Sequence, residues 1–188
     1  MFAIPWRRLA KMRERVYTTD ERIRISTGWC YAMDREEFAV RAMEMRDSLY
    51  RVSATLLRRE ADREDAVSEA IAKALVKLPG LRRAEAFQSW MIRILINECY
   101  NILRRDRREI SVAEVPDVYF APENSRELYK AFMALEEKYR LPMVLHYVEG
   151  YKVDEVSRMM RLPEGTVKSR LMRGRKMLRD MLDGEVSA

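Results

Sequence analysis

The 188-residue sequence predicts an all-α protein of two small helical domains joined by a flexible linker, the C-terminal one a helix-turn-helix. Three observations carry that reading. Gly and Pro number only six each, too few for a fold built on many tight turns. Leu, Arg, Glu, Ala and Met are abundant, all of them strong helix formers. Apolar residues recur at three- and four-residue steps, with little of the strict alternation of a strand. An apolar fraction of 48% beside 35% charged residues suffices to bury a core.

The elements follow in order. Asp34–Arg58 reads as one helix, with Phe38, Ala42, Met45, Leu49, Val52 and Leu56 on one face. Asp62–Leu78 is the second: Asp62 suits an N-cap, acids crowd the first turn, and Val67, Ile71, Leu75 and Leu78 form its stripe. Pro79-Gly80 stops it. The third, Ala86–Arg107, is apolar nearly all round, because Trp90-Met91-Ile92 and Ile94-Leu95-Ile96 leave Arg93 as the sole polar residue between them. Such a helix is central in a bundle or offers its second face to something flat. Ser111–Asn124 has no helical period and carries Pro116 and Pro122 among acids, hence the linker. Glu127–Val148 is helical again, with Pro142 expected to start or kink a helix. Then come a turn at Glu149-Gly150-Tyr151, a short helix Val153–Met160, and a turn Arg161-Leu162-Pro163. A longer helix opened by Pro163 runs to Leu182. Short helix, three-residue turn and longer basic helix are the arrangement of a helix-turn-helix.

Charge is distributed in blocks. The net charge is +6, yet residues 1–33 carry seven bases to three acids, 82–108 seven to three, and 158–179 eight to one. Between the last two, 109–157 is acidic at ten to five. Basic blocks separated by acidic ones suit two contact zones for a polyanion. Composition also excludes classes. No run approaches the ~18 apolar residues of a membrane span, and Met1–Trp6 has no apolar secretory core. One histidine and two scattered cysteines, Cys30 and Cys99, fit a reducing cytosol and argue against a disulfide framework, a zinc site or any other metal centre. No phosphate-binding Gly-rich loop is present.

The last helix has a definite geometry. At 100° per residue Val167, Leu171, Gly174, Leu178 and Met181 share an inward face. Ser169, Met172, Arg173 and Lys176 lie opposite, with Thr166 and Lys168 at the sides. Basic and hydroxyl side chains so placed suit phosphates and base edges in a major groove.

These residues resemble a known family. Leu135-Glu136-Glu137-Lys138-Tyr139-Arg140, Glu149-Gly150 and Glu164-Gly165-Thr166-Val167-Lys168-Ser169-Arg170-Leu171 look like the −35-reading domain of sigma-70 family factors of the extracytoplasmic-function (ECF) group. Independently, Asp65-Ala66-Val67-Ser68-Glu69-Ala70, Phe87-Gln88-Ser89-Trp90-Met91-Ile92-Arg93-Ile94 and Asn97 are similar to the family's −10 domain. The resemblance spans about residues 36–183. It implies a −10 and polymerase-binding domain over 34–108, a linker over 109–125, a −35 domain over 126–183 and a tail at 184–188. The arm 1–33 matches nothing; it is expected to lack fixed structure or to precede a true start at Met33, with a basic extension that touches DNA or polymerase as the alternative.

By resemblance, Asp65, Ser68 and Glu69 dock on a coiled coil of the largest subunit of core RNA polymerase. Leu81, Arg82, Arg83, Phe87, Trp90, Arg93, Asn97, Arg104 and Arg105 serve the −10 element, with Trp90 stacking on unpaired bases and the arginines holding phosphates. Thr166, Lys168, Ser169, Arg170, Met172, Arg173 and Lys176 serve the −35 element, Arg170 lying nearest the core edge. Many members are held by an anti-sigma factor, which joins polymerase and promoter DNA as a candidate partner; no cofactor, small-molecule substrate or catalytic residue is implied, and the location is cytoplasmic. Departures stand at Ser68 (usually glutamine), Leu81-Arg82-Arg83 (often Phe-Arg-Gly), Ser157 (usually alanine) and Glu136 (often proline). Two rivals remain at this level. One is an autonomous helix-turn-helix regulator, which would bind duplex DNA without polymerase. The other is a nucleic-acid enzyme, which would need clustered carboxylates or an activated nucleophile.

Overall fold

A computed structural model describes residues 33–106 and 126–185, so the arm, the linker and the last residues lie outside it. The described residues form α-helices joined by short turns, with no strand among them. We label them α1 (Arg35–Glu44), α2 (Arg46–Leu56), α3 (Glu60–Lys77), α4 (Phe87–Asp106), α5 (Arg126–Ala134), α6 (Glu137–Met143), α7 (Val153–Met160) and α8 (Glu164–Glu185).

The first expected helix divides at Met45, a buried residue at the edge of the helical region (φ −81, ψ −2) that joins α1 to α2. Asp34 caps α1 by accepting the Glu37 amide at 2.8 Å. The second helix starts before the expected Asp62. Its cap is Arg59, whose guanidinium grips the Asp62 carboxylate at 2.7 and 2.9 Å, while Arg63 donates to the carbonyls of Leu57 and Arg58. Asp62 therefore acts from within the first turn, where its charge still suits the helix dipole. The expected helix 127–148 is three pieces: α5, α6, and a single wide π turn over Val144–Val148 that follows Pro142. Glu149 N–H closes that turn on the Val144 carbonyl at 3.0 Å.

Phe38, Leu49, Val52, Val67, Ile71, Phe87, Met91 and Leu95 build the core of the first unit, and Leu135, Leu141, Leu145, Val156, Val167 and Leu171 that of the second. The two are continuous. The all-round apolar α4 packs on α3 and α2, and across the boundary on α7, while α2 packs on α6. Three polar contacts join the units. Arg51 holds the Glu149 carboxylate through two bonds, 2.7 and 3.3 Å. Arg140 spreads its guanidinium over the carbonyls of Thr55, Met133 and Leu135 at 3.2, 2.6 and 3.1 Å. The Tyr100 phenol stands beside the Glu137 carboxylate, which raises the phenol's pKa. Burial holds the Arg140 guanidinium below its ordinary pKa; the fan of carbonyls is what makes that burial tolerable.

Candidate nucleic-acid interface

The C-terminal site is built by the turn between α7 and α8. Arg161 ends α7 in the left-handed region (φ 53, ψ 45), a conformation that disfavours a side chain by roughly 1–2 kcal/mol. Neighbouring bonds hold it there: Leu162 N–H donates to the Ser157 carbonyl at 3.0 Å, and the Ser157 hydroxyl donates to the Leu162 carbonyl at 2.5 Å. Serine in place of the usual alanine thus adds a bond that fixes the turn. Pro163 then supplies the carbonyl that receives the Thr166 and Val167 amides, so it stands just ahead of α8.

Val167, Leu171 and Gly174 face inward and are buried, with Leu178 and Met181 partly so. Gly174 lets α8 approach α6 closely: a Cβ there would lie 2.6 Å from Met143 Sδ and 3.4 Å from Tyr139 Cβ. The opposite face presents Lys168, Met172, Arg173 and Lys176 to solvent. Thr166 and Ser169 are half-buried, and the Ser169 hydroxyl is engaged with the Thr166 carbonyl at 2.9 Å. Arg170 is the exception. It is half-buried and near enough to Tyr100 to act electrostatically on its phenol, so it faces the junction with the first unit.

In the first unit the expected −10 residues separate into two sets. Arg82, Arg83, Arg93, Asn97, Arg104 and Arg105 are exposed, and Trp90 is half-buried with its ring tilted 43° on Phe87 at 6.2 Å. Leu81 and Phe87 are core residues; they form the floor beneath the loop and Trp90 and do not reach its surface. Trp90, Arg93, Asn97 and Arg104 fall within one 80° sector of α4. Tyr100 belongs to the same sector, a residue that sequence reasoning passed over although its 3–4 spacing with Asn97 and Arg104 marks it. A cleft of about 380 Å³ opens here, lined by Asn97, Tyr100, Leu103, Arg104 and, from α6, Glu137. Burial and the Glu137 carboxylate both raise the Tyr100 phenol pKa.

On α3, Asp65, Ser68 and Glu69 share one exposed ridge above the buried Ala66, Val67, Ala70, Ile71 and Ala74. Val76 stands on the same ridge and is 80% exposed. Sequence reasoning passed over it, although 100° per residue places it with the polar ridge and opposite the apolar stripe. Among the described residues no group of His, Cys, Asp or Glu is arranged to hold a metal, and no helix is long and apolar enough to cross a membrane.

Comparison with known proteins agrees with this geometry. Residues 42–109 match the family model of sigma-70 region 2, and residues 125–178 that of sigma-70 region 4. The ECF RNA polymerase sigma factor SigM of Mycobacterium tuberculosis is 31% identical over 140 residues, 71% of either chain. SigV of Bacillus subtilis is 27% identical over 146 residues, covering 74% of this chain and 87% of that one. In fold, the chain is similar to the sigma factor RpoE of Bartonella quintana, solved with the anti-sigma factor NepR. There the TM-score is 0.70 at 21% identity, over 79% of this chain and 98% of that one. CnrH, solved with the cytosolic domain of CnrY, gives 0.62 at 20% identity, over 80% and 90%. The two exposed basic faces therefore lie within stretches that two family models independently match, in the family's order, and the chain belongs to the ECF group of sigma-70 family RNA polymerase sigma factors, which bind core polymerase and direct it to promoters.

Proposed function

We propose that this sigma factor docks on core RNA polymerase through the Asp65–Ser68–Glu69 ridge of α3 and reads the promoter at two faces. The exposed sector of α4, with the loop arginines Arg82 and Arg83, takes the −10 element. Trp90, Arg93, Asn97, Arg104 and Arg105 carry that contact, and Leu81 and Phe87 shape it from beneath. The outer face of α8 takes the −35 element through Lys168, Met172, Arg173 and Lys176, with Thr166 and Ser169 at its edge. Arg170 joins them only once α8 has left the junction. Stacking of unpaired bases on an aromatic contributes roughly 1–3 kcal/mol per base, which offsets the few kcal/mol of unstacking. The protein acts by binding and has no chemistry of its own, and its place is the cytoplasm, with the polymerase.

The single observation that supports this most is the presence in one chain of two exposed basic faces, one on an aromatic-bearing helix and one on a helix-turn-helix. An anti-sigma factor is a proposed partner because a solved relative in fold, RpoE of Bartonella quintana, was captured with one; the junction lined by α4, α6 and α7 is where such a protein would act on both units at once.

Run-off transcription with purified core polymerase, on genomic fragments that include the region upstream of this chain's own gene, tests the reading. Transcripts that require the protein support it and reveal both promoter elements. Specific duplex binding by the free protein, with no core binding and no transcripts, would transfer the case to an autonomous regulator.

A further inference from the structure

Lys73 stands between two carboxylates that belong to different surfaces. Its ammonium lies 3.1 Å from Glu69 Oε1, on the exposed α3 ridge, and 2.6 Å from Glu98 Oε2, on α4. The Glu98 side chain is 9% exposed. Burial works to raise its pKa, but the bonds from Lys73 and Asn101 outweigh it and hold the carboxyl below its usual range. Glu98 Oε2 also receives Asn101 Nδ2 at 3.1 Å, and Asn101 Oδ1 in turn accepts the Arg104 guanidinium. A polar line thus runs Glu69–Lys73–Glu98–Asn101–Arg104, from the ridge assigned to polymerase to the arginine assigned to −10 phosphate. Glu98 is a buried carboxylate between the apolar Leu95, Ile96 and Cys99 of α4.

We propose that Glu98 and Asn101 are positioning residues that tie the aim of Arg104 to the state of Glu69. The step is discrete. In the free protein the Lys73 ammonium is shared between two carboxylates; a polymerase group that takes Glu69 leaves Lys73 to Glu98 alone. Glu98 then offers less of its charge to Asn101, whose amide is the only link to Arg104 in the line. Core docking and backbone capture at −10 become coupled through contacts that touch neither partner. The inference rests on the surfaces assigned under Proposed function.

The test is a double-mutant cycle on open-complex formation by reconstituted holoenzyme, using a promoter found by the run-off experiment. Glu69→Gln and Arg104→Ala are made singly and together, first with Asn101 present and then in Asn101→Ala. With Asn101 present, the joint loss is expected to differ from the product of the single losses by about threefold; in Asn101→Ala the difference vanishes. A merely structural role for Asn101 would shift all four members of the cycle equally and leave the difference in place. If both single changes act and multiply independently in either background, the surfaces stand and the coupling is overturned. If Glu69→Gln leaves core affinity unchanged, or Arg104→Ala leaves opening unchanged, that end is misassigned and the proposal falls with it.

Discussion

The contact between Arg51 and Glu149 sets how readily the two units part, and its strength follows from its surroundings. Glu149 is nearly sealed, its side chain 6% exposed, whereas Arg51 is 35% exposed. The pair is bidentate, at 2.7 and 3.3 Å, and the bond to Glu149 holds the Arg51 guanidinium above its ordinary pKa. A wholly exposed pair contributes about 0–1 kcal/mol, and a hydrogen bond to a charged group about 1.5–3. Half-exposure of the arginine places this one near 1.5 kcal/mol, so its loss should raise the open-to-closed ratio about tenfold. Arg51→Met removes the charge and keeps the stem; Glu149→Gln keeps the shape. Dyes on Glu36→Cys and Asp180→Cys, in a Cys30→Ser background, report the separation by single-molecule energy transfer. Cys99 stays silent because burial pushes its thiol up to about 12. Where the closed form dominates, core affinity of the unlabelled variants should rise by a similar factor, since less protein has to open before it binds. Two results would refute the reasoning: single variants that leave the distance distribution unmoved, or a double variant whose shift equals the sum of the singles.

Other expectations concern pH, docking and opening. Cys99 and Tyr151 are pushed by burial from 9.0 and 10.0 up to about 12. Above pH about 9 the unfolded chain therefore binds fewer protons than the native one, and stability, full below that pH, should fall by at most about 1.4 kcal/mol per pH unit for the thiol and less for the partly solvated phenol. Urea midpoints at pH 8, 9.5 and 10.5 measure this, and a flat series would contradict it. Val76→Lys should weaken core binding about tenfold if the side chain is buried on docking, measured by competition; unchanged affinity would place Val76 outside the contact. Trp90→Ala should slow opening on duplex more than on a pre-melted template, by the 1–3 kcal/mol of a lost stack, and equal losses on both would remove it from melting.

Much of this was legible in sequence because helix periodicity is local. The inward face of α8, from Val167 through Gly174, follows from 100° per residue alone, and so does its basic outer face. The two motif sets are made of short contiguous runs, each within a helix, a turn, or a turn and the helix it opens, so they too were readable. Boundaries that depend on tertiary partners were not. Met45 carries no helix-breaking signal, and the division there suits packing on the rest of the first unit. Asp62 has the right chemistry for a cap, but Arg63 ties down the preceding carbonyls and moves the start to Arg59. Leu81 and Phe87 read as loop and edge residues because a loop residue's burial depends on what folds beneath it. Arg170 was recognisable as the odd member of its face, though its neighbour Tyr100 lies 70 positions away in sequence and no pattern joins them.

The same distance explains what the all-round apolar helix is for. Sequence left two alternatives for α4, a central core helix or one that offers its second face to something flat, and the structure shows the first, with α7 lying across it. The sector of that helix proposed for the −10 element already contains Glu137 from α6, a carboxylate set among Asn97, Tyr100 and Arg104. Under the proposed function a strand of DNA uses those groups, and the carboxylate competes for them with the same sign of charge that a phosphate brings. The apolar contact between α4 and α7 and the contact of Glu137 with Tyr100 therefore favour closure together, and they are lost together when the units separate. Their sum must stay small enough for polymerase docking to exceed it, because a partner shifts an equilibrium only by its differential affinity for the two states. A junction that adds to its apolar contact an ion pair, a half-buried arginine on backbone carbonyls and a tyrosine beside a carboxylate meets that requirement better than a wholly dry hydrophobic seam of equal area, since each of its polar groups can be rehydrated on opening.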